Sequence, residues 1–212
     1  MNNLLSYPIS CVVDRAIPKT AFYRNVEVSE RMRRRFIEEV QEFRWLYKLA
    51  PQTLNVEGGD IEEVQIFLAT LKRQTVPIEL LQFIDKHMPQ FTTFILQYGG
   101  SFCLLCNYKQ FATQAHDRCD IIETFSTDWQ KAEPTLEIQG RTLPQIYEGF
   151  VRQIAGSRLE KTATLAADVS GMQNREAIER RIAQLEMLMN KEPQPHRKFE
   201  IHQQIVELKN QL

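Results

Sequence analysis

The sequence has no long uncharged apolar run. Nowhere in its 212 residues does one approach the roughly 20 residues needed to span a bilayer. The opening stretch from Met1 to Pro8 lacks the basic start and apolar core of a secretory signal. These two absences predict a cytoplasmic protein without membrane contact. Cysteine is scarce: Cys11, Cys103, Cys106 and Cys119 are too few for a disulfide framework and are expected as reduced thiols. An excess of one charge is missing too. A net charge of -1 and a pI of about 6.5 exclude a global basic field that would drive nonspecific DNA or membrane binding. There is no glycine-rich phosphate loop and no nucleophile elbow. His87, His116, His196 and His202 are scattered without an evident Ser or Cys partner, which argues against hydrolase-triad chemistry.

What is present is an ordinary globular balance, 43% apolar and 25% charged, on a chain long enough for one core and an appendage. Ser29 is a good helix N-cap, and Met32, Phe36, Val40 and Phe43 follow as one apolar stripe at helical spacing. From Phe43 to Leu49 the aromatics alternate, which predicts a strand with an apolar inner face, ended by Pro51. Gly58-Gly59-Asp60 marks a turn. A strand then runs from Ile61 to Leu71, with Val64, Ile66 and Leu68 on one face and Glu63, Gln65 and Phe67 on the other. Pro77 suits the first turn of a helix reaching about Met88. The clearest hairpin joins Phe91–Tyr98 to Phe102–Tyr108 around Gly99-Gly100. A strand over Ile121–Phe125 and a helix from about Pro144 to Gly156 follow.

Residues 157–173 carry a weak pattern of small side chains and are expected as a linker. Beyond them, Ile178, Ile182, Leu185 and Met189 are spaced four, three, four, and Ile201, Ile205, Leu208 and Leu212 repeat that spacing. Pro193 and Pro195 between the runs break a continuous helix. The expected architecture is therefore α+β. A mixed, mainly antiparallel sheet flanked by helices occupies residues 1–156, and an antiparallel, coiled-coil-like helical hairpin occupies 174–212. So short a hairpin is marginal alone, so Ile178, Ile182, Leu185, Ile201, Ile205 and Leu208 are candidates for a partner interface.

Three constellations bear on chemistry. Cys103-x-x-Cys106 followed by His116-x-x-Cys119 superficially spells a zinc site. However, Cys103 and Cys106 fall three apart within a strand and so point to opposite faces, so no metal is expected there. The run containing Arg31, Arg34 and Arg35 offers candidate phosphate contacts, though such runs are more often solvated helix faces. Finally, the order helix, strand, strand, helix, strand over residues 29–98 resembles the core of restriction-endonuclease-like nucleases. Those enzymes place an acid on one strand and Glu-x-Lys or Glu-x-Gln on the next, where the acids hold Mg²⁺ and the third group orients water. Glu63-Val64-Gln65 fits the second strand. Asn55 stands where an Asp is expected, and one carboxylate holds Mg²⁺ poorly.

Several phrases occur together and in order: Ile17-Pro18-Lys19, Trp45-Leu46-Tyr47-Lys48-Leu49, Thr53-Leu54-Asn55, Ile61-Glu62-Glu63-Val64-Gln65-Ile66-Phe67, Ile84-Asp85-Lys86 and Ser126-Thr127-Asp128-Trp129. This order, across nearly the whole chain, resembles the prokaryotic domain-of-unknown-function family four-three-nine-one. The resemblance implies a setting beside helicases and DNA methyltransferases of restriction-type loci, and so a role in defence against foreign DNA. Lys48, Asn55, Glu63, Gln65 and Lys86 interrupt apolar elements and match those phrases, which makes them a candidate functional cleft. The expected function is an accessory or interaction subunit that docks on a helicase or methyltransferase partner, with DNA contact possible and no cofactor. The alternatives are a metal-dependent nuclease, which alone would need Mg²⁺, and a self-assembling dimerisation module.

Overall fold

A computed structural model describes residues 4–112 and 115–212, with side chains described for all of these except 111, 112 and 115–118. The chain falls into two compact units, Met1–Gly156 and Ser157–Leu212.

The first unit is a six-stranded sheet in sequential order: β1 (Val12–Ile17), β2 (Val40–Leu49), β3 (Val64–Leu71), β4 (Phe91–Tyr98), β5 (Ser101–Ala112) and β6 (Ala115–Ser126). All neighbours are antiparallel except β3 and β4, which run parallel. Parallel neighbours need a crossover, and a helix, α3 (Ile78–Lys86), supplies it. The β4–β5 turn is the tight one expected: Gly99 and Gly100 have φ of 53° and 77°, the left-handed region where a Cβ is penalised.

Helix α1 (Glu30–Glu38) starts where its cap demands, with the Ser29 hydroxyl accepting from the Met32 amide. It ends earlier than the apolar spacing suggested. Val40 and Phe43 belong to β2, because both pack into the core as strand residues beside Phe36. A bulge between Trp45 and Tyr47 then adds Leu46 to β2 and reverses its faces. Phe43 consequently meets Phe22 edge-to-face and Phe36 at a tilt on one side of the sheet. Tyr47 meets Tyr7 on the other, so the strand has no single apolar face.

Both faces of the sheet are covered. On one side α1 and α3 bury Phe36, Leu80, Leu81 and Ile84 against Phe43, Phe67, Phe94, Leu96, Cys103 and Leu105. Each fully buried large side chain there contributes about 1.5–3 kcal/mol. On the other side α4 (Leu143–Ala155), capped by Thr142 and stopped at Gly156, sets Tyr147 against Phe91 and Phe150 against Tyr7. A short helix α2 (Pro51–Leu54) follows β2. Strand β1 and the full length of β6 exceed the sequence reading, which placed only Ile121–Phe125 in a strand.

The second unit consists of α5 (Leu165–Lys191) and α6 (Pro195–Lys209), with Pro195 in the first turn of α6. The expected linker of 157–173 is shorter, because residues 165–173 are helical. Thr164 caps α5 by accepting from the Ala167 amide, and the buried Asp168 carboxylate accepts from Thr162 and from the Ala163 amide. The sequence concealed this start because Arg175 and Glu176 interrupt the apolar stripe between Met172 and Ile178. Ile178, Ile182, Leu185 and Ile205 form the buried α5–α6 seam, with Met189, Ile201 and Leu208 packed against it. Lys209 pairs with Glu186 across the same helices at 3.0 Å. No helix among the described residues is long and apolar enough to cross a membrane.

Candidate functional site

The cleft expected from the sequence is built at the end of the sheet where β2 finishes and β3 begins. Lys48 lies opposite Gln65 in the β2–β3 register, and the bulge at Leu46 turns Lys48 onto the α3 side, the face that Gln65 shares with Phe67. Glu63 immediately precedes β3. Its carboxylate is held at both oxygens: the Lys48 ammonium lies 2.6 Å from Oε2, and the Gln65 side-chain amide donates to Oε1 at 2.5 Å. The surrounding cleft has a volume of about 740 Å³, and Lys48, Asp60, Glu62, Glu63, Gln90 and Phe91 are among its lining residues.

Two other candidates stand apart. Asn55 is exposed and adopts the left-handed conformation (φ 55°, ψ 49°) that closes α2, a structural task suited to asparagine. Lys86 is exposed near the end of α3 and does not line the cleft. Arg31, Arg34 and Arg35 project from α1 at the opposite end of β2, where Arg31 and Arg35 both reach Glu79.

The sequence reading missed what lies behind the cleft. From Lys48 and Gln65 a polar row continues across the sheet. Gln65 is in register with Thr92 of β4. Asn107 follows Cys106, the partner of Thr93, and so comes beside Thr92; Asn107 is itself paired with Thr124 of β6. Helix α3 drops Asp85 onto this row. Its carboxylate accepts from Thr92 at 2.5 Å, Asn107 at 3.0 Å and Lys109 at 2.7 Å. The Lys109 ammonium also donates to the carbonyl oxygens of Asp85, Met88 and Gln90. Gln82 donates to Thr124, which donates to Asn107. Both charged side chains are wholly buried. Burial pushes the Asp85 carboxyl above its usual range, opposed first by the Lys109 charge. Such a pair persists only where every polar atom finds a partner. Because Lys109 holds the Met88 and Gln90 carbonyls, it also fixes the α3–β4 turn whose Pro89, Gln90 and Phe91 wall the cleft.

A signal for this row was legible. Asp85 falls four residues after Leu81, inside the apolar arc of α3, and Asn107 and Lys109 continue the inward parity of Cys103 and Leu105 on β5. Polar residues on an apolar parity mark either a buried network or a site.

The cysteines serve the core. Cys103 belongs to the α3-side cluster and donates to the Thr127 carbonyl oxygen, whereas Cys106 contacts Thr92 and Thr93. Cys119 donates to the carbonyl oxygens of Asp85 and Lys86. The side chain of His116 lies outside the described residues. Among those described, no three His, Cys, Asp or Glu side chains stand close enough to share a metal ion.

The nuclease resemblance expected from the sequence would bring Mg²⁺ with it, and the residues present do not fit that ion. Mg²⁺ requires oxygen ligands at about 2.0–2.1 Å in octahedral order. Here both oxygens of the best-placed carboxylate are engaged, one by an ammonium that occupies the position a cation would take. No curated protein and no solved structure is significantly similar to the chain. A family model for a domain of unknown function, DUF4391, does match residues 5–212, nearly the full length, and the chain belongs to that family.

Proposed function

We propose that the chain is a non-catalytic accessory subunit of a prokaryotic, restriction-like DNA-defence assembly, built on a nuclease-like core and docking on a helicase or methyltransferase. The observation that carries this reading is the closed Lys48–Glu63–Gln65 set, in which the chain's own ammonium neutralises the carboxylate that a nuclease would give to a metal. The order α1–β2–α2–β3–α3–β4, with β2–β3 antiparallel and β3–β4 parallel, supports reading the core as nuclease-like. Docking falls to the outside of the hairpin. The seam residues Ile178, Ile182, Leu185, Ile201, Ile205 and Leu208 are turned towards one another, so they serve the hairpin before any partner. Met187, Leu188 and Phe199 are instead 59%, 54% and 60% exposed, too much apolar surface for helices that bury their own seam.

The test is co-expression of the tagged chain with neighbouring helicase and methyltransferase genes. The expected result is a stable complex that is lost when Met187 and Phe199 become glutamate while the helical signal stays intact. A complex unaffected by that double variant, or none at all, refutes the docking reading.

A metal-dependent nuclease is the competing reading, favoured by one observation: Asp60, Glu62 and Glu63 line a single cleft, although they stand too far apart to share one ion in this arrangement. It requires Mg²⁺- or Mn²⁺-dependent DNA cleavage that Glu63→Ala abolishes. Absence of cleavage, or cleavage that survives the substitution, removes it.

A further inference from the structure

At the far end of β2 and β3 from the cleft, several cations from separate segments meet. Helix α1 contributes Arg31, Arg34 and Arg35. The turn after β3 contributes Lys72 and Arg73, because the Leu71–Val40 pairing brings it beside the end of α1, where the Lys72 amide bonds the Glu39 carbonyl oxygen. Lys19 joins them through its bond to the Val40 carbonyl oxygen.

Two carboxylates organise this group without cancelling it. Glu39 is largely buried, and its Oε1 is shared by Arg35 at 3.0 Å and Arg73 at 3.6 Å. Glu79 is shared by Arg31 and Arg35. Arg33 is occupied by Glu30 and by the Tyr23 ring, and Glu38 adds one exposed acid. Arg34 and Lys72 are exposed and have no acidic partner among the described residues. Lys19 shows the resulting field: its amine is held below the usual lysine range, first by burial and then by repulsion from Lys72. Like charges held together in this way leave an unmet demand for anion.

We infer that this surface, formed by Arg34, Lys72 and Arg73 with Arg31 and Arg35 beside them, binds the phosphate backbone of nucleic acid. Arg31 lies about 4.5 Å of helix rise from Arg34 and about 6 Å from Arg35, a spacing at which cations one turn apart can each meet a backbone phosphate. Glu39 acts as a positioning residue that aims two guanidiniums to one side. The aromatic of α1, Phe36, is buried in the core and the helix carries no amide side chain, so the contact carries charge without sequence readout. The inference does not depend on what the cleft does, and it holds for either reading above.

The experiment is fluorescence anisotropy of a labelled DNA duplex titrated with the full chain in EDTA, so that metal chemistry plays no part. Binding is expected to weaken steeply between about 50 and 200 mM salt, by roughly a hundredfold if four phosphates are neutralised. The Arg34→Gln, Lys72→Gln, Arg73→Gln variant should reduce the slope of log affinity against log salt by about 3. The variant Arg34→Lys, Arg73→Lys should retain most of the binding, which separates charge from local structure. Equal affinity and slope in wild type and the glutamine variant would overturn the inference. So would an absence of wild-type binding at low salt.

Discussion

Replacing Lys109 with methionine keeps the length and apolar bulk of the side chain and removes only the ammonium. Four acceptors each lose one donor: one Asp85 carboxylate oxygen and the carbonyls of Asp85, Met88 and Gln90. The Asp85 charge is then buried with only the Thr92 and Asn107 donors to hold it. Removing one member of a buried pair costs about 3–5 kcal/mol. Against a total stability of about 5–15 kcal/mol, that leaves a marginal fold. Urea denaturation followed by circular dichroism should show a lower midpoint with an unchanged m-value. The penalty should also depend on pH with a defined sign. Burial already raises the Asp85 carboxyl above its unfolded value, and Lys109 opposes this. Without Lys109 the carboxyl rises further, so the folded variant binds a proton that the unfolded chain does not. Stability is then lost as pH rises through the raised folded value and regained on acidification towards the ordinary aspartate range. Adding Asp85→Asn to Lys109→Met should recover about 1–3 kcal/mol at neutral pH, because an amide needs no counter-charge. A cost below about 1 kcal/mol for Lys109→Met would refute the reasoning, since no buried charge would then have been uncovered.

Other consequences are simpler. Burial raises the Cys103 thiol to about 11 and the Cys106 thiol to about 12, so neither should react with a thiol reagent at pH 8 until urea unfolds the chain. Gly140 has φ of 132°, and an added Cβ would lie 2.8 Å from the Gln145 Cβ. Gly140→Ala should therefore cost about 1–3 kcal/mol, visible as a lower Tm. Ile182→Asp places a charge in the α5–α6 seam and should destabilise the hairpin by about 3 kcal/mol, seen as lost helical dichroism.

The regular elements were legible where one local rule governed them. Ser29 caps α1, Gly99-Gly100 turns β4 into β5, and Pro195 starts α6, each by a chemistry confined to a few residues. Reading failed where a distant contact decided the matter. The helical spacing of Val40 and Phe43 is real, but pairing with β3 claims both for a strand. The bulge at Leu46 cannot be inferred from alternation, and it is the bulge that turns Lys48 towards Gln65. In the site, the proximity of Glu63 and Gln65 was readable from the Glu-x-Gln spacing, whereas Lys48 joins them through that bulge. Lys109 showed only as a polar residue on an apolar parity, and its partner did not, because the fold joins it to Asp85 across 24 positions.

The accessory reading stands on the ammonium of Lys48 occupying the cation position beside Glu63, and calorimetric titration with Mn²⁺ tests this most directly. The account predicts no measurable binding at the cleft in wild type. Binding should appear in Lys48→Ala and disappear again when Glu63→Gln is added. Binding by the wild-type chain that Glu63→Gln removes, accompanied by DNA cleavage, would contradict the account and make the cleft a nuclease site.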